Sequence, residues 1–296
     1  MSRLPLIVGF GGVNAAGRSS AHHAYRRLVI DDIEAIKRER TYASLAALMQ
    51  RGQPCSDNER KNMLQHTLIR KLEKNLFDSE SILLQKTAEL TEPSGQETSF
   101  VIKKIQLPST IPDTWIVDKV SEAEVKVTVS NQLKVLLPDA RISKVHSAGQ
   151  LPTGFDPEAL YQSRNHPRGL QLTIFGASDA INSLGIDWEQ VKNIVPGDQI
   201  SVYASSAMGQ LDTHGSGGLL QSSLVGKRVS SKNVALGLAE MTADFINAYI
   251  LGNVGTTGAN VGACATFLYN LRPVSYTHLR AHETLRYLVC RLLLEK

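Results

Sequence analysis

The residue best suited to covalent chemistry is Cys264, which lies in a run of glycines and small residues between positions 258 and 270. An apolar stretch typical of a helix follows it directly. This arrangement predicts a thiol at the first turn of a helix, where unpaired N–H groups and the helix dipole favour a thiolate. Such a thiolate can attack a carbonyl carbon, and the same N–H groups can hold the oxyanion. The alternative is a buried structural cysteine, and the local pattern alone leaves both open.

A second pattern imitates a dinucleotide-binding unit. It consists of a short apolar run, then Gly9-x-Gly11-x-x-Asn14, a helical stretch and Asp31-Asp32. Asparagine replaces the third glycine of that motif, and no second strand precedes the acidic pair. The favoured interpretation is that these glycines only shape the first turn of the fold.

Two further groups resemble hydrolase or metal sites. Ser216 follows His214 too closely for an easy catalytic triad, and no Gly-x-Ser-x-Gly elbow is present, so a flexible loop is favoured there. His22-His23 stands beside Arg26-Arg27 without an acid or cysteine at ligand spacing, which favours a solvated helix face over a metal site.

Strands and helices alternate along the chain, which predicts an α/β layered fold with a mostly parallel sheet. Hydrophobic periodicity, with glycine and proline marking the ends of segments, predicts the secondary structure. Helices are predicted over 20–50, 56–90, 169–184 and 241–251. Strands are predicted over 4–9, 100–108, 124–129, 199–204 and within 254–264. An inserted middle segment within residues 1–145, helical and extended, is predicted to be an elaboration beside the catalytic fold.

Several long motifs in order carry a resemblance to one bacterial branch of the β-ketoacyl synthases, the condensing enzymes of fatty-acid and polyketide synthesis. The motifs are Gly11-Gly12-Val13-Asn14-Ala15-Ala16-Gly17-Arg18-Ser19-Ser20, Ser147-Ala148-Gly149-Gln150-Leu151-Pro152-Thr153-Gly154-Phe155, His166-Pro167-Arg168-Gly169-Leu170-Gln171, Asp244-Phe245-Ile246-Asn247-Ala248-Tyr249 and Gly262-Ala263-Cys264-Ala265-Thr266.

The resemblance implies a thiolase-like layered fold, of which only the first, N-terminal half is expected here. It implies that Cys264 accepts an acyl group from coenzyme A or acyl carrier protein. The carbanion of decarboxylated malonyl-acyl carrier protein then attacks that thioester. No cofactor or metal site is expected, and the full-length parent is expected to be a homodimer. The alternatives are a non-catalytic ketosynthase-like partner that binds the carrier, in which cysteine is unusual at this position, and a thiolase.

The chain is predicted to divide into three parts: residues 1–145, with the first strand, helices and elaboration; 146–273, half of the catalytic domain; and 274–296. The last part begins Val274-Ser275-Tyr276-Thr277-His278 and resembles translated DNA-sequencing adapter. The two histidines that the resemblance places after the cysteine have no counterpart in this chain. We therefore expect a truncated fragment that is unable to condense, with an exposed apolar face and poor solubility.

Composition excludes several classes of protein. A formal charge of +4 over 296 residues is no nucleic-acid signature. The three cysteines, Cys55, Cys264 and Cys290, are far apart, which argues for a reducing compartment and against a disulfide framework or zinc site. Since no stretch approaches the ~20 apolar residues of a membrane span, we expect a cytoplasmic protein without membrane contact.

Overall fold

The computed structural model describes residues 6–280, apart from 91–96, 131, 164 and 253. Its helices are α1 (His23–Leu28), α2 (Ala35–Leu48), α3 (Asp57–Gln65), α4 (Arg168–Asn182), α5 (Trp188–Ile194), α6 (Ser216–Gln221), α7 (Lys232–Gly237), α8 (Met241–Ile246) and α9 (Thr266–Arg280). Its strands are β1 (Val13–Asn14), β2 (Gly17–Arg18), β3 (Ile69–Lys71), β4 (Ile82–Leu90), β5 (Thr98–Lys103), β6 (Trp115–Lys119), β7 (Glu124–Val129), β8 (Leu133–Arg141), β9 (Ser147–Gly149), β10 (Ser201–Tyr203) and β11 (Thr256–Gly258).

The chain forms two compact units. The first joins Met1–Arg70 to Gly149–Lys296, and the second is Lys71–Ala148. This division differs from the predicted segments 1–145 and 146–273, because residues 1–70 pack with the later part of the chain. Arg70, for example, donates hydrogen bonds from its guanidinium to the carbonyl oxygens of Gln150 and Leu151.

The second unit is built from antiparallel strands. The central strand β7 pairs with β5 on one side and β6 on the other, and its inward side chains Val125, Val127 and Val129 form the buried core. This strand was predicted from strict alternation at residues 124–129 and is confirmed, since every second residue faces the core. Strands β4 and β8 form a separate nine-residue antiparallel ribbon.

The first unit contains two buried clusters of apolar side chains. One lies around α2 and comprises Ile30, Tyr42, Leu45, Ala46, Met49 and Met63. The other is centred on Val202, Ala243 and Leu251 and lies under the parallel pair β10–β11. The helices predicted over 169–184 and 241–251 are confirmed by α4 and by α8, which continues into a π-helical turn, Asn247–Leu251, that ends at Gly252.

Three predicted elements differ from the structure. Residues 6–9 of the strand predicted over 4–9 form no strand, and residues 4 and 5 lie outside the described residues. The helix predicted over 56–90 ends at Gln65, because Leu68 adopts a left-handed backbone (φ 61°) and donates its N–H to the carbonyl of Ala15. The helix predicted over 20–50 is likewise two helices, α1 and α2.

The predicted boundary at residue 274 falls within α9, and residues 281–296 lie outside the described residues. No helix in the described part of the chain is long and apolar enough to cross a membrane.

Candidate active site

Cys264 lies in a tight turn that leads into α9. Residues Ala263–Ala265 form a single 3-10 turn, and the 15-residue helix α9 begins at Thr266. The thiol is exposed. The sequence prediction of a cysteine at the first turn of a helix therefore matches the structure, whereas the alternative of a buried cysteine does not.

The backbone of this turn is held in a strained conformation. Ala263 has a left-handed φ of 46°, which costs an L-residue about 1–2 kcal/mol. The side chain of Thr266 stabilises the turn. Its hydroxyl accepts the N–H of Gly262 at 3.1 Å and donates to the carbonyl of Ala263 at 2.7 Å. Strain of this kind persists only where the surroundings impose it, and it concentrates at functional sites.

A buried amide anchors the turn to the neighbouring strand. The side chain of Asn270 accepts the N–H of Asn260 at 3.0 Å through its oxygen. Its nitrogen lies 2.7 Å from the Ser205 hydroxyl and 2.9 Å from the carbonyl oxygens of Asn260 and Thr266. Asn270 is 6% exposed; its bond to Thr266 is buried, and the other three are partly buried. They connect the segment before the cysteine, the segment after β10 and the first turns of α9.

Two glycines allow the close packing of this region. A Cβ on Gly262 would lie 2.4 Å from a ring carbon of Tyr269, and one on Gly258 would lie 2.6 Å from the ring of Tyr203. Contacts this short do not occur, so any side chain at either position displaces a ring. The small-residue pattern before Cys264 is therefore a requirement of packing as well as of access to the thiol.

Two motifs that carried the sequence resemblance meet in an aromatic cluster. His166 contacts the rings of Phe245 and Tyr249 at centroid distances of 5.0 and 5.7 Å. Tyr161 completes the cluster, with its hydroxyl 3.2 Å from His166 Nδ1. Burial, helped by His214, lowers the pKa of His166, and burial raises the pKa of Tyr161 well above its ordinary value. We infer that the phenol donates to a neutral imidazole, an arrangement that stabilises packing.

The glycine-rich motif near the N-terminus is occupied by a carboxylate of α4. Buried Asp179 accepts the N–H of Gly12 at 3.0 Å and the Ser20 hydroxyl at 2.8 Å. A Cβ on Gly11 would lie 2.2 Å from the backbone nitrogen of Ala180. The glycines therefore permit contact between this loop and α4, and the N–H that a pyrophosphate would need is already donated to Asp179. This supports the turn-shaping interpretation over dinucleotide binding.

The hydrolase-like run is also structural. Asp212 accepts the N–H groups of Arg168, His214 and Gly215, and the Ser216 hydroxyl donates to the carbonyl of Gly237. No hydrogen bond joins Ser216 to a histidine in the described part of the chain. Within the described ranges, no three His, Cys, Asp or Glu side chains converge as a metal site would need.

Comparison with known proteins identifies the relatives of the chain. It is 46% identical over 289 aligned residues to the curated β-ketoacyl-[acyl-carrier-protein] synthase FabY of Pseudomonas aeruginosa, an alignment covering 92% of this chain and 46% of the relative. A crystal structure of the P. aeruginosa ketosynthase FabY superposes with a TM-score of 0.86 at 44% identity, over 95% of this chain and 47% of that one. No protein-family model matches.

The agreement confirms the α/β thiolase-like fold class predicted from the sequence motifs. The predicted mostly parallel sheet is wrong for the described residues, where β10–β11 is parallel but β1–β2, β4–β8 and β5–β7–β6 are antiparallel. The chain spans about half the length of these proteins. Cys264, the Gly11–Ser20 motif and the His166 cluster all lie within the described residues of that half. The chain is therefore a homologue of the β-ketoacyl-acyl carrier protein synthases over about half of their length.

Proposed function

We propose that Cys264 is the acyl-accepting nucleophile of a β-ketoacyl synthase of fatty-acid biosynthesis. The observation that carries the proposal is the strained, small-residue turn that presents an exposed thiol at the start of a 15-residue helix. The thiolate attacks the carbonyl carbon of an acyl thioester, the oxyanion is held by a backbone N–H of the turn, and the carrier thiolate leaves. The Cys264 N–H is the natural donor.

In the second half-reaction, a malonyl thioester loses CO₂ and its α-carbon attacks the acyl-Cys264 carbonyl. The Cys264 thiolate is the leaving group, and a 3-ketoacyl thioester two carbons longer is released. Thioesters and the thiolate supply every electron pair in this sequence, so neither step requires a bound metal or redox cofactor. The two half-reactions predict ping-pong kinetics.

The partners follow from the same proposal. The substrates are acyl carrier protein or coenzyme A thioesters and malonyl-acyl carrier protein, and the enzyme acts as a cytoplasmic homodimer with no nucleic-acid or membrane partner. Support for the carrier protein comes from the P. aeruginosa relative, which is a β-ketoacyl-[acyl-carrier-protein] synthase.

We propose that this chain by itself performs acyl transfer but not condensation. Decarboxylation requires histidines that polarise the malonyl thioester, and three of the described histidines make other contacts. His22 packs against Phe10, and His66 Nδ1 lies 2.7 Å from the carbonyl of Asn62. His166 is held in its aromatic cluster.

The test separates the two half-reactions. The chain is incubated with acetyl coenzyme A, and intact-protein and peptide mass spectrometry locate any acetyl thioester. We expect one acetyl group on Cys264, its loss in Cys264→Ser, and its retention in the matched variant Cys55→Ser. Acetylation of both cysteines at equal rates, or of neither in a folded chain, contradicts the proposed nucleophile. A 3-ketoacyl product formed after malonyl-acyl carrier protein is added contradicts only the proposed inability to condense.

A further inference from the structure

A cavity of about 450 Å³ lies between the start of α1 and one face of α2. Its polar lining comprises Arg18, His23, Arg26, Arg40 and Ser44. The remaining lining residues, Ala21, Ala43 and Ala47, are small and leave its interior open. These residues lie within the first unit, and none of them belongs to the Cys264 turn or the His166 cluster.

The cavity is positively charged because its lining contains three guanidinium groups and no carboxylate. Asp179, the acid that contacts Arg18 at 3.4 Å, also accepts bonds from Gly12 and Ser20. Arg26 and Arg40 form no ion pair with an acidic side chain in the described part of the chain. At least two guanidinium charges therefore remain without a counter-charge.

The same positive charges act on the imidazole of His23. Its pKa is lowered first by burial and then by the charges of Arg26, Arg18 and Arg40, with Asp179 acting in the opposite direction. Three cations thus outweigh one anion at this ring.

Three polar atoms of the lining are buried without a hydrogen-bond partner. They are Arg18 Nε, whose contact with Asp179 has no hydrogen-bond geometry, His23 Nδ1 and Ser44 Oγ. An unsatisfied buried polar group costs about 1–3 kcal/mol, and a cluster of them calls for an explanation. An anion in the cavity supplies acceptors for such groups after small side-chain rotations.

We propose that this cavity binds the phosphate group of a small phosphomonoester, with Arg26 and Arg40 as its principal ligands and Arg18 as a third guanidinium. Guanidinium forks match the geometry of phosphate oxygens and bind them in pairs. A dianionic phosphate fits the uncompensated charge better than a single carboxylate does. The volume falls in the range of ligand pockets, about 300–1,000 Å³, and leaves room for the rest of the ester beside its phosphate.

The test measures binding of inorganic phosphate, glycerol 3-phosphate and glycerol to the full chain by isothermal titration calorimetry at constant ionic strength. We expect one site for glycerol 3-phosphate, weaker binding of inorganic phosphate and no binding of glycerol. Arg26→Gln and Arg40→Gln should each weaken glycerol 3-phosphate binding by about tenfold or more. The matched control Lys61→Gln removes the same charge from an exposed position on α3 outside the cavity and should change the affinity by less than about twofold.

Each contrary result has a definite meaning. Equal weakening by Lys61→Gln shows that general charge attracts phosphate and overturns the site. Binding of inorganic phosphate alone overturns the phosphomonoester as its ligand. Circular dichroism confirms that each variant is folded, and Arg40→Lys, which keeps the charge but loses the fork, should recover only part of the affinity. Full recovery in Arg40→Lys overturns the role of the guanidinium fork.

Discussion

Substitution of Asn270 by alanine tests whether the turn around Cys264 is held by the buried amide. The change leaves the Asn260 N–H without its acceptor and removes the amide nitrogen from three oxygen atoms between 2.7 and 2.9 Å away. An unsatisfied buried N–H costs about 1–3 kcal/mol, and each lost hydrogen bond contributes about 0.5–1.5 kcal/mol. Since Ser205 still donates to the carbonyl of Asn260, we expect a total cost of about 2–4 kcal/mol.

Hydrogen exchange measured by mass spectrometry locates this effect. If opening of the turn limits exchange, a loss of 2–4 kcal/mol accelerates exchange of the peptide containing Asn260 by about 30- to 1,000-fold, because each 1.4 kcal/mol is a factor of ten. Peptides from β5–β7, in the second unit, should exchange at the parent rate, since the perturbed contacts all lie in the first unit.

The matched control is Asn58→Ala, at an exposed position on α3, where a surface substitution costs within about 0.5 kcal/mol. If Asn270→Ala leaves exchange at Asn260 within about threefold of the parent rate, the amide does not hold the turn. An equal acceleration of the second-unit peptides would instead show global unfolding and refute the local argument.

Three further predictions concern the turn and the histidine cluster. Gly262→Ala should displace the neighbouring tyrosine ring and cost about 1–3 kcal/mol, whereas Gly52→Ala, where a Cβ meets nothing within 4 Å, should be neutral or slightly stabilising in urea denaturation. Iodoacetamide should alkylate Cys264 faster than Cys55, although both are exposed and both lie just before a helix, because the Glu59 carboxylate accepts the backbone N–H of Cys55 and disfavours a thiolate there; equal rates would remove the local argument for activation. Stability should fall as pH drops from 7.5 towards 5.5, because the pKa of His166 is held below 6.5 in the folded chain and the unfolded chain takes up the proton first. His166→Gln should show a flatter dependence of the urea midpoint on pH, and an unchanged slope would contradict this reasoning.

Sequence periodicity correctly predicted the elements that bury one face in the core and expose the other. The strand β7 alternates valines with polar residues, and α4 has a helical stripe that buries Leu170 and Ile174. The turn at Cys264 was predicted in part for a related reason, since Gly262 packs against Tyr269, seven positions away, whereas Gly258 packs against the distant Tyr203.

Elements determined by distant contacts could not be predicted in this way. The leucines from 64 to 76 are spaced as on a helix, but Leu68 is bonded to Ala15, more than fifty residues away. The N-terminal glycines look like a phosphate-binding loop until Asp179 is placed against them. The sequence around Gly12 could not predict this contact, because Asp179 lies 167 positions beyond Gly12.

The contacts that place the nucleophile are separable from those that would complete the reaction. The turn is held by contacts among Ser205, Asn260, Thr266 and Asn270, which all lie in the first unit. In contrast, Phe267, one residue into the first turn of α9, is 75% exposed, so the apolar face beside the thiol has no partner among the described residues. Because acyl transfer needs the turn whereas condensation also needs groups that cover this face and polarise the second substrate, the two half-reactions should separate in this chain. The acetylation experiment measures that separation directly.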